Sequence, residues 1–159
     1  MLKIIIVEDE EIIRMGLAYT VDWQSMGAQV MGEAADGVEG LEMVAAVRPD
    51  VVLTDIRMPR MNGLDMAKVL REQYPEIKVV FLTSYADFEY ARQAVRLNAC
   101  DYLLKPVDEG ELAKLMGRFH EEKGRQAVAG EAGGHNAEKL AESAEAEGLV
   151  DWQELLAHD

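Results

Sequence analysis

Five times along this chain a short apolar run gives way to a segment whose apolar residues recur at helical spacing, and few folds accommodate that alternation. The runs are Leu2 to Val7, Gln29 to Ala34, Val51 to Asp55, Lys78 to Thr83 and Tyr102 to Leu104. Ile12, Ile13, Leu17 and Val21 outline a first helix, closed in a loop by Trp23 and Gly27. After an Asp36-Gly37 turn, Val38, Leu41, Val44, Ala45 and Arg48 carry a second, stopped at Pro49. Leu64, Ala67, Val69 and Leu70 face inward from a third, between Asn62-Gly63 and Tyr74-Pro75. Asp87 is placed to cap a fourth, bearing Phe88, Ala91, Ala94, Val95 and Leu97. Asp108, with Glu111 in the capping-box position, starts a fifth whose stripe is Leu112, Leu115, Met116 and Phe119. The first strand is apolar almost throughout, so both its faces should be covered. The expectation is an α/β domain: a doubly wound parallel sheet with right-handed crossovers and helices on both faces.

The charge balance narrows the partners. With a formal net charge of -14 over 159 residues, the chain lacks the Lys/Arg excess that neutralises phosphate backbones, so no nucleic acid should bind to it. Cys100 is the single cysteine, which excludes an internal disulfide and a cysteine metal site; it reads as a small core residue. His120, His135 and His158 have no metal-ligand spacing, and the methionines fall mostly at core positions. Glu8, Asp9, Glu10 and Glu11 follow the apolar Ile4–Val7 directly, so no secretory leader is read there. No apolar run approaches membrane-spanning length, and the expected compartment is the cytoplasm. Composition shifts near Gly124: residues 1–123 are read as the folded domain and 124–159 as an acidic, Gly/Ala/Glu-rich tail or linker. Val150-Asp151-Trp152-Gln153 repeats Val21-Asp22-Trp23-Gln24 without a period behind it. Trp152, Leu155 and Leu156 could form a small amphipathic docking turn.

Polar residues terminate the strands. Glu8 and Asp9 follow the first, Asp55 ends the third, Thr83 the fourth, and Lys105 follows the fifth. Taken alone, Asp55 reads equally as a cap of the turn toward Pro59. In a parallel sheet, however, all these ends share one edge, and with strand order 2-1-3-4-5 the first and third strands are neighbours at the switch point. Three carboxylates brought within about 4–6 Å repel one another unless a cation lies between them. A hard divalent ion suits an all-oxygen donor set, and Mg²⁺ suits it best, because it keeps waters and uses few carboxylates plus a phosphate.

Glu8-Asp9, Asp55 with Met58-Pro59, Thr83-Ser84, and Tyr102 with Lys105-Pro106 resemble the receiver domain of two-component response regulators, over Met1 to about Lys123. Asp55-Ile56-Arg57-Met58-Pro59 and Asp101 to Asp108 look most like the subgroup whose receivers precede an AraC-type DNA-binding domain. The resemblance implies a flavodoxin-like (βα)5 fold and phosphorylation of Asp55 by a sensor histidine kinase. It further implies Mg²⁺ held by Asp9, Asp55 and the Arg57 main-chain carbonyl, with Glu8 acting through water. Lys105 would contact the phosphoryl oxygens, after a cis Lys105-Pro106 peptide. Thr83 would donate its hydroxyl and Tyr102 would move inward with it, while Ser84 is small enough to leave the site open. The implied output is transcription through a DNA-binding domain outside this chain, by way of a homodimer on the face of the last helix, strand and helix. A signalling module with self-directed phosphotransfer is thus expected, not an enzyme. A phosphohydrolase of the haloacid-dehalogenase type would need a second carboxylate where Arg57 stands. A receiver-shaped interaction domain that ignores phosphate would not need Asp9, Asp55, Thr83 and Lys105 together.

Overall fold

The computed structural model describes residues 1–98 and 101–129, with side chains described for 1–94 and 101–125. Cys100, Trp152 and most of the acidic tail lie outside the described residues, as do the side chains of Val95 and Leu97. The elements run β1 (Leu2–Val7), α1 (Glu11–Thr20), β2 (Ala28–Ala34), α2 (Gly37–Val47), β3 (Val51–Asp55) and α3 (Gly63–Gln73). They continue with β4 (Lys78–Thr83), α4 (Phe88–Asn98), β5 (Asp101–Leu104) and α5 (Glu109–Ala129). Short 3-10 turns at Gln24–Met26 and Tyr85–Asp87 precede β2 and α4. The sheet is parallel throughout and its order is β2-β1-β3-β4-β5.

Both sheet faces are buried, as the apolar runs require. One layer packs Ile5, Val7, Val52, Val79 and Phe81 under α2, α3 and α4. The other packs Ile4, Ile6, Leu53 and Leu82 under Leu17 of α1 and Leu112, Met116 and Phe119 of α5. Successive strand residues point to opposite faces, so each strand serves both layers.

Three helical stripes differ in detail from their sequence reading. Ile12 is 88% exposed; five residues from Leu17 at about 100° each, it lies well off the buried line. In α2 the buried line is Gly37, Gly40 and Val44, while Ala45 and Arg48 are exposed. A methyl group on Gly40 would stand 2.6 Å from Met66 Sδ and 3.2 Å from Val7 Cγ2, so this helix comes close by having no side chain there, which hydrophobic patterning does not register. In α3 Met66 is buried and Val69 only half-buried. Asp108 does cap α5, its Oδ1 accepting from Gly110 N at 2.7 Å and Glu111 N at 3.2 Å. Asp36 and Asn62 cap α2 and α3 in the same way.

The register fixes the functional edge. Val7 lies opposite Thr54, Asp55 opposite Leu82, and Thr83 opposite Leu104. Glu8, Asp55, Thr83 and Lys105 are therefore lined up along adjacent strand ends. The loop after Asp55 turns back under a tight constraint: Gly63 N donates to Ile56 O at 2.8 Å, and a Cβ on Gly63 would meet Asp55 O at 2.0 Å. Backbone cannot yield that distance without moving Asp55 itself. Gly63→Ala is expected to destabilise the fold by about 2–3 kcal/mol, read from the urea midpoint; a loss below about 0.5 kcal/mol would show that the loop relaxes freely.

Candidate functional site

Glu8 is fully buried at the end of β1, Asp9 is exposed beside it, and Asp55 is half-buried at the end of β3. One carboxylate oxygen from each lies within 4.8 Å of the others. Lys105 reaches in from β5, with Nζ 3.1 Å from Glu8 Oε2 and 3.2 Å from Asp55 Oδ2. The other Asp55 oxygen, Oδ1, accepts from Ile56 N at 2.8 Å, so the turn-capping role and the site role coexist in one carboxylate. The Lys105-Pro106 peptide is cis, and this bond opens the loop that carries the lysine.

Burial dominates the electrostatics of Glu8. Desolvation, reinforced by the Asp55 charge, raises its pKa to about 7 although Lys105 opposes the change. Burial also works against the Lys105 ammonium, but Asp55 and Glu8 outweigh it and hold its pKa above the ordinary lysine value. The ammonium thus separates two of the three acids. The acids still outnumber it, and an edge of oxygens from three carboxylates is a donor set that fits a hard divalent cation.

Thr83 is buried, and its Oγ1 donates to Ser84 O at 3.0 Å. Tyr102 is half-buried and meets Phe88 edge-on, with ring centroids 5.4 Å apart and planes at 83°. Ser84 is exposed. The Arg57 side chain points elsewhere: Nε donates to Asp87 Oδ1 at 2.7 Å. Asp87, expected as a helix cap, is instead a buried acceptor for Arg57 in the 3-10 turn before α4.

These placements fit one family. A model of the response regulator receiver domain matches residues 4–117. The chain belongs to the response regulator receiver family. Its receiver is 41% identical over 119 residues to the transcriptional regulatory protein HptR of Staphylococcus aureus, covering 75% of this chain and 46% of that protein. It is 35% identical over 128 residues to YesN of Bacillus subtilis, an uncharacterised transcriptional regulatory protein, covering 80% of this chain and 35% of that one. The chain thus spans less than half the length of these relatives. Among solved structures it resembles the receiver domain of AraT, a response regulator from Geobacillus stearothermophilus. There the TM-score is 0.72 at 38% identity, covering 79% of this chain and 98% of that one. A two-component transcriptional regulator AraC from Clostridium phytofermentans gives 0.69 at 32% identity, covering 76% and 94%. Among the described residues no helix is long and apolar enough to cross a membrane.

The structure adds residues to this receiver edge that sequence reading passed over. Arg14 of α1 donates from Nη1 to Glu8 O at 2.8 Å and lies 3.5 Å from Glu33, anchoring the main chain of the acidic corner. Arg60, with φ of 63°, pairs with Asp36 at 2.7 Å. Neither has a local sequence signal: Arg14 meets a main-chain carbonyl, which side-chain patterning does not register, and Asp36 lies 24 residues before Arg60. His120, without metal spacing, places Nε2 2.8 Å from Gly27 O.

The raised Glu8 pKa carries a sign. In the folded chain this acid holds its proton more tightly than in the unfolded one, so its contribution favours folding below pH 4.5 and is lost as pH rises toward 7. In EDTA, stability should fall across that window by on the order of 2 kcal/mol, and Glu8→Gln should flatten the slope. Urea unfolding at a series of pH values decides it; an unchanged slope in Glu8→Gln would place the titration elsewhere.

Proposed function

We propose that this receiver accepts a phosphoryl group on Asp55 from a sensor histidine kinase in a Mg²⁺-dependent reaction. The observation that carries the reading is the meeting of Asp55 with Lys105, Glu8 and Asp9 at one strand edge. A carboxylate oxygen of Asp55 would attack phosphorus as the P–N bond of the phosphohistidine breaks, the electron pair leaving with the imidazole nitrogen. Phosphoryl transfer asks chiefly for positioning and charge neutralisation. Asp9, Asp55 and the Arg57 main-chain carbonyl would hold Mg²⁺, with Glu8 behind a water, and the ion supplies the positive charge that three acids otherwise lack. Lys105 would exchange its bond to the Asp55 carboxylate for one to a phosphoryl oxygen.

Thr83 and Tyr102 then form the switch. The Thr83 hydroxyl would turn from the Ser84 carbonyl to the phosphoryl group, and Tyr102 would follow inward. Moving such an equilibrium from 1:99 to 99:1 takes about 5.5 kcal/mol, a scale within reach of several charge-assisted hydrogen bonds. The face built by α4, β5 and α5 would change and pair two copies. The output would be transcription through a DNA-binding domain, in keeping with the names of the relatives, in the cytoplasm. Residues 1–123 would act as the phosphoacceptor unit and 124–159 as the connector, neither touching nucleic acid or membrane. The role is that of a signalling module, not an enzyme acting on an external substrate.

Acetyl phosphate with Mg²⁺ should add one phosphoryl group by mass, and neither the Asp55→Ala chain nor the wild type in EDTA should gain it. Labelling under either of those conditions would refute the assignment. Beryllofluoride should raise the dimer fraction in sedimentation; occupancy at Asp55 with unchanged mass would exclude dimerisation by this route. Lys105→Ala should keep the fold, since Glu8 can take up a proton, yet slow phosphorylation at least tenfold, as loss of a charge-stabilising donor does. Circular dichroism and labelling rates read the two effects, and a rate equal to wild type would remove Lys105 from the chemistry.

A further inference from the structure

Two loops leave the functional edge from neighbouring strands, and an ion pair joins them. Arg57 stands two residues beyond Asp55, and Asp87 four beyond Thr83. Arg57 Nε and Asp87 Oδ1 are 2.7 Å apart, with the arginine side chain 53% exposed and the aspartate 9%. An ion pair between exposed chains is worth little, but here one partner is buried. Removing the arginine would leave a desolvated carboxylate uncompensated, which makes the tie much firmer than a surface contact. The next residue after Asp87 is Phe88, whose ring stands edge-on to Tyr102. Within the same turn Asp87 N donates to Ser84 O at 3.2 Å, and that carbonyl also accepts the Thr83 hydroxyl. One contiguous chain of contacts therefore runs from Arg57 in the loop after Asp55, through Asp87, to both switch side chains.

We propose that Asp87 is a positioning residue of this receiver: by holding Arg57 it ties the Ser84–Phe88 segment to the loop after Asp55 and keeps Thr83 and Tyr102 in the unphosphorylated arrangement. The assignment rests on the phosphoacceptor reading above for what the switch does, but not for the tie itself. To turn toward Asp55, Thr83 would give up its bond to the Ser84 carbonyl, the same carbonyl that Asp87 N uses in the turn held by the pair. Opening the pair frees both loops at once. Asp87 thereby sets how much interaction the phosphoryl group must supply.

Ligand-free protein tests the tie directly. In Asp87→Asn the amides of Asp87 and Phe88 should exchange with deuterium at least tenfold faster, with the β1 amides unchanged, and Asp87→Glu should restore much of the protection. Arg57→Gln should reproduce the effect, and the double variant should go no further than either single change, as expected for two halves of one interaction. Unchanged exchange, or additive effects, would overturn the tie. Beryllofluoride with Mg²⁺ then tests its consequence. Half of the Tyr102 signal change should be reached in Asp87→Asn at a concentration at least threefold below wild type. An equal or higher concentration, with ¹⁹F signals showing Asp55 occupied, would reject the positioning role. Absence of beryllofluoride from wild-type Asp55 would instead count against the phosphoacceptor reading, leaving hydrogen exchange to judge the tie.

Discussion

Everything at the functional edge depends on a lysine ammonium held 3.1 and 3.2 Å from two carboxylates that would otherwise repel one another. Glu8 has no exposure at all, and an unpaired anion in such a place is costly enough that the group protonates instead. Lys105 and protonation share the burden, which is why Glu8 is moved up to about 7 and yet not beyond. A site balanced in this way is responsive. Any cation brought to the acids competes with the proton and with Lys105 for them, and any anion brought to Asp55 competes for the same ammonium.

The fold makes that balance possible by register alone. Parallel pairing puts every strand's carboxyl end on one side, and pairing Val7 with Thr54 leaves the residues that follow β1 level with Asp55. A slip by one residue would send Glu8 to the wrong face and Ile6 with it. The apolar cost of misregistration thus protects a polar arrangement to which the core contributes no polar atom. Gly63 enforces the same arrangement from the loop, since only a residue without a Cβ can pass so near the Asp55 carbonyl.

Much of this was legible in the sequence because it is written in local periods. Five strands, five helices and the four strand-end groups Glu8, Asp55, Thr83 and Lys105 follow from runs and stops, while the sheet order is what the receiver resemblance implies. What escaped was of two kinds. Close approach through glycine, as at Gly40 beneath Met66, looks like a gap in a hydrophobic stripe, and so the buried line of α2 was read onto Ala45 and Arg48. Pairing across long separations has no local trace: nothing near Asp87 signals that Arg57 reaches it, so a capping role was the natural reading of an aspartate before a helix. The same blindness hid Arg60. The divalent ion that the sequence suggested between the acids keeps its donor set in Glu8, Asp9 and Asp55, with the Lys105 ammonium beside it.

The ion pairs at this edge are not scattered. Asp36 follows β2 and meets Arg60 in the loop after β3; Arg57 in that loop meets Asp87 after β4; Lys105 after β5 meets Glu8 after β1 and Asp55 at the end of β3. Every strand-end loop is therefore joined to another by an ion pair, and β3 or its loop takes part in three of the four, the pair between Lys105 and Glu8 being the exception. Loops at a ligand edge are ordinarily the least stable parts of a domain. Here each is held by a charge that its neighbour supplies, with the acidic member buried or nearly so. Such a ring is stiff while every charge keeps its partner, and it is sensitive to a new charge at β3, where the links converge. In the proposed reading Asp55 stands at that convergence, so phosphorylation there would reach loops on both sides without requiring the core to move.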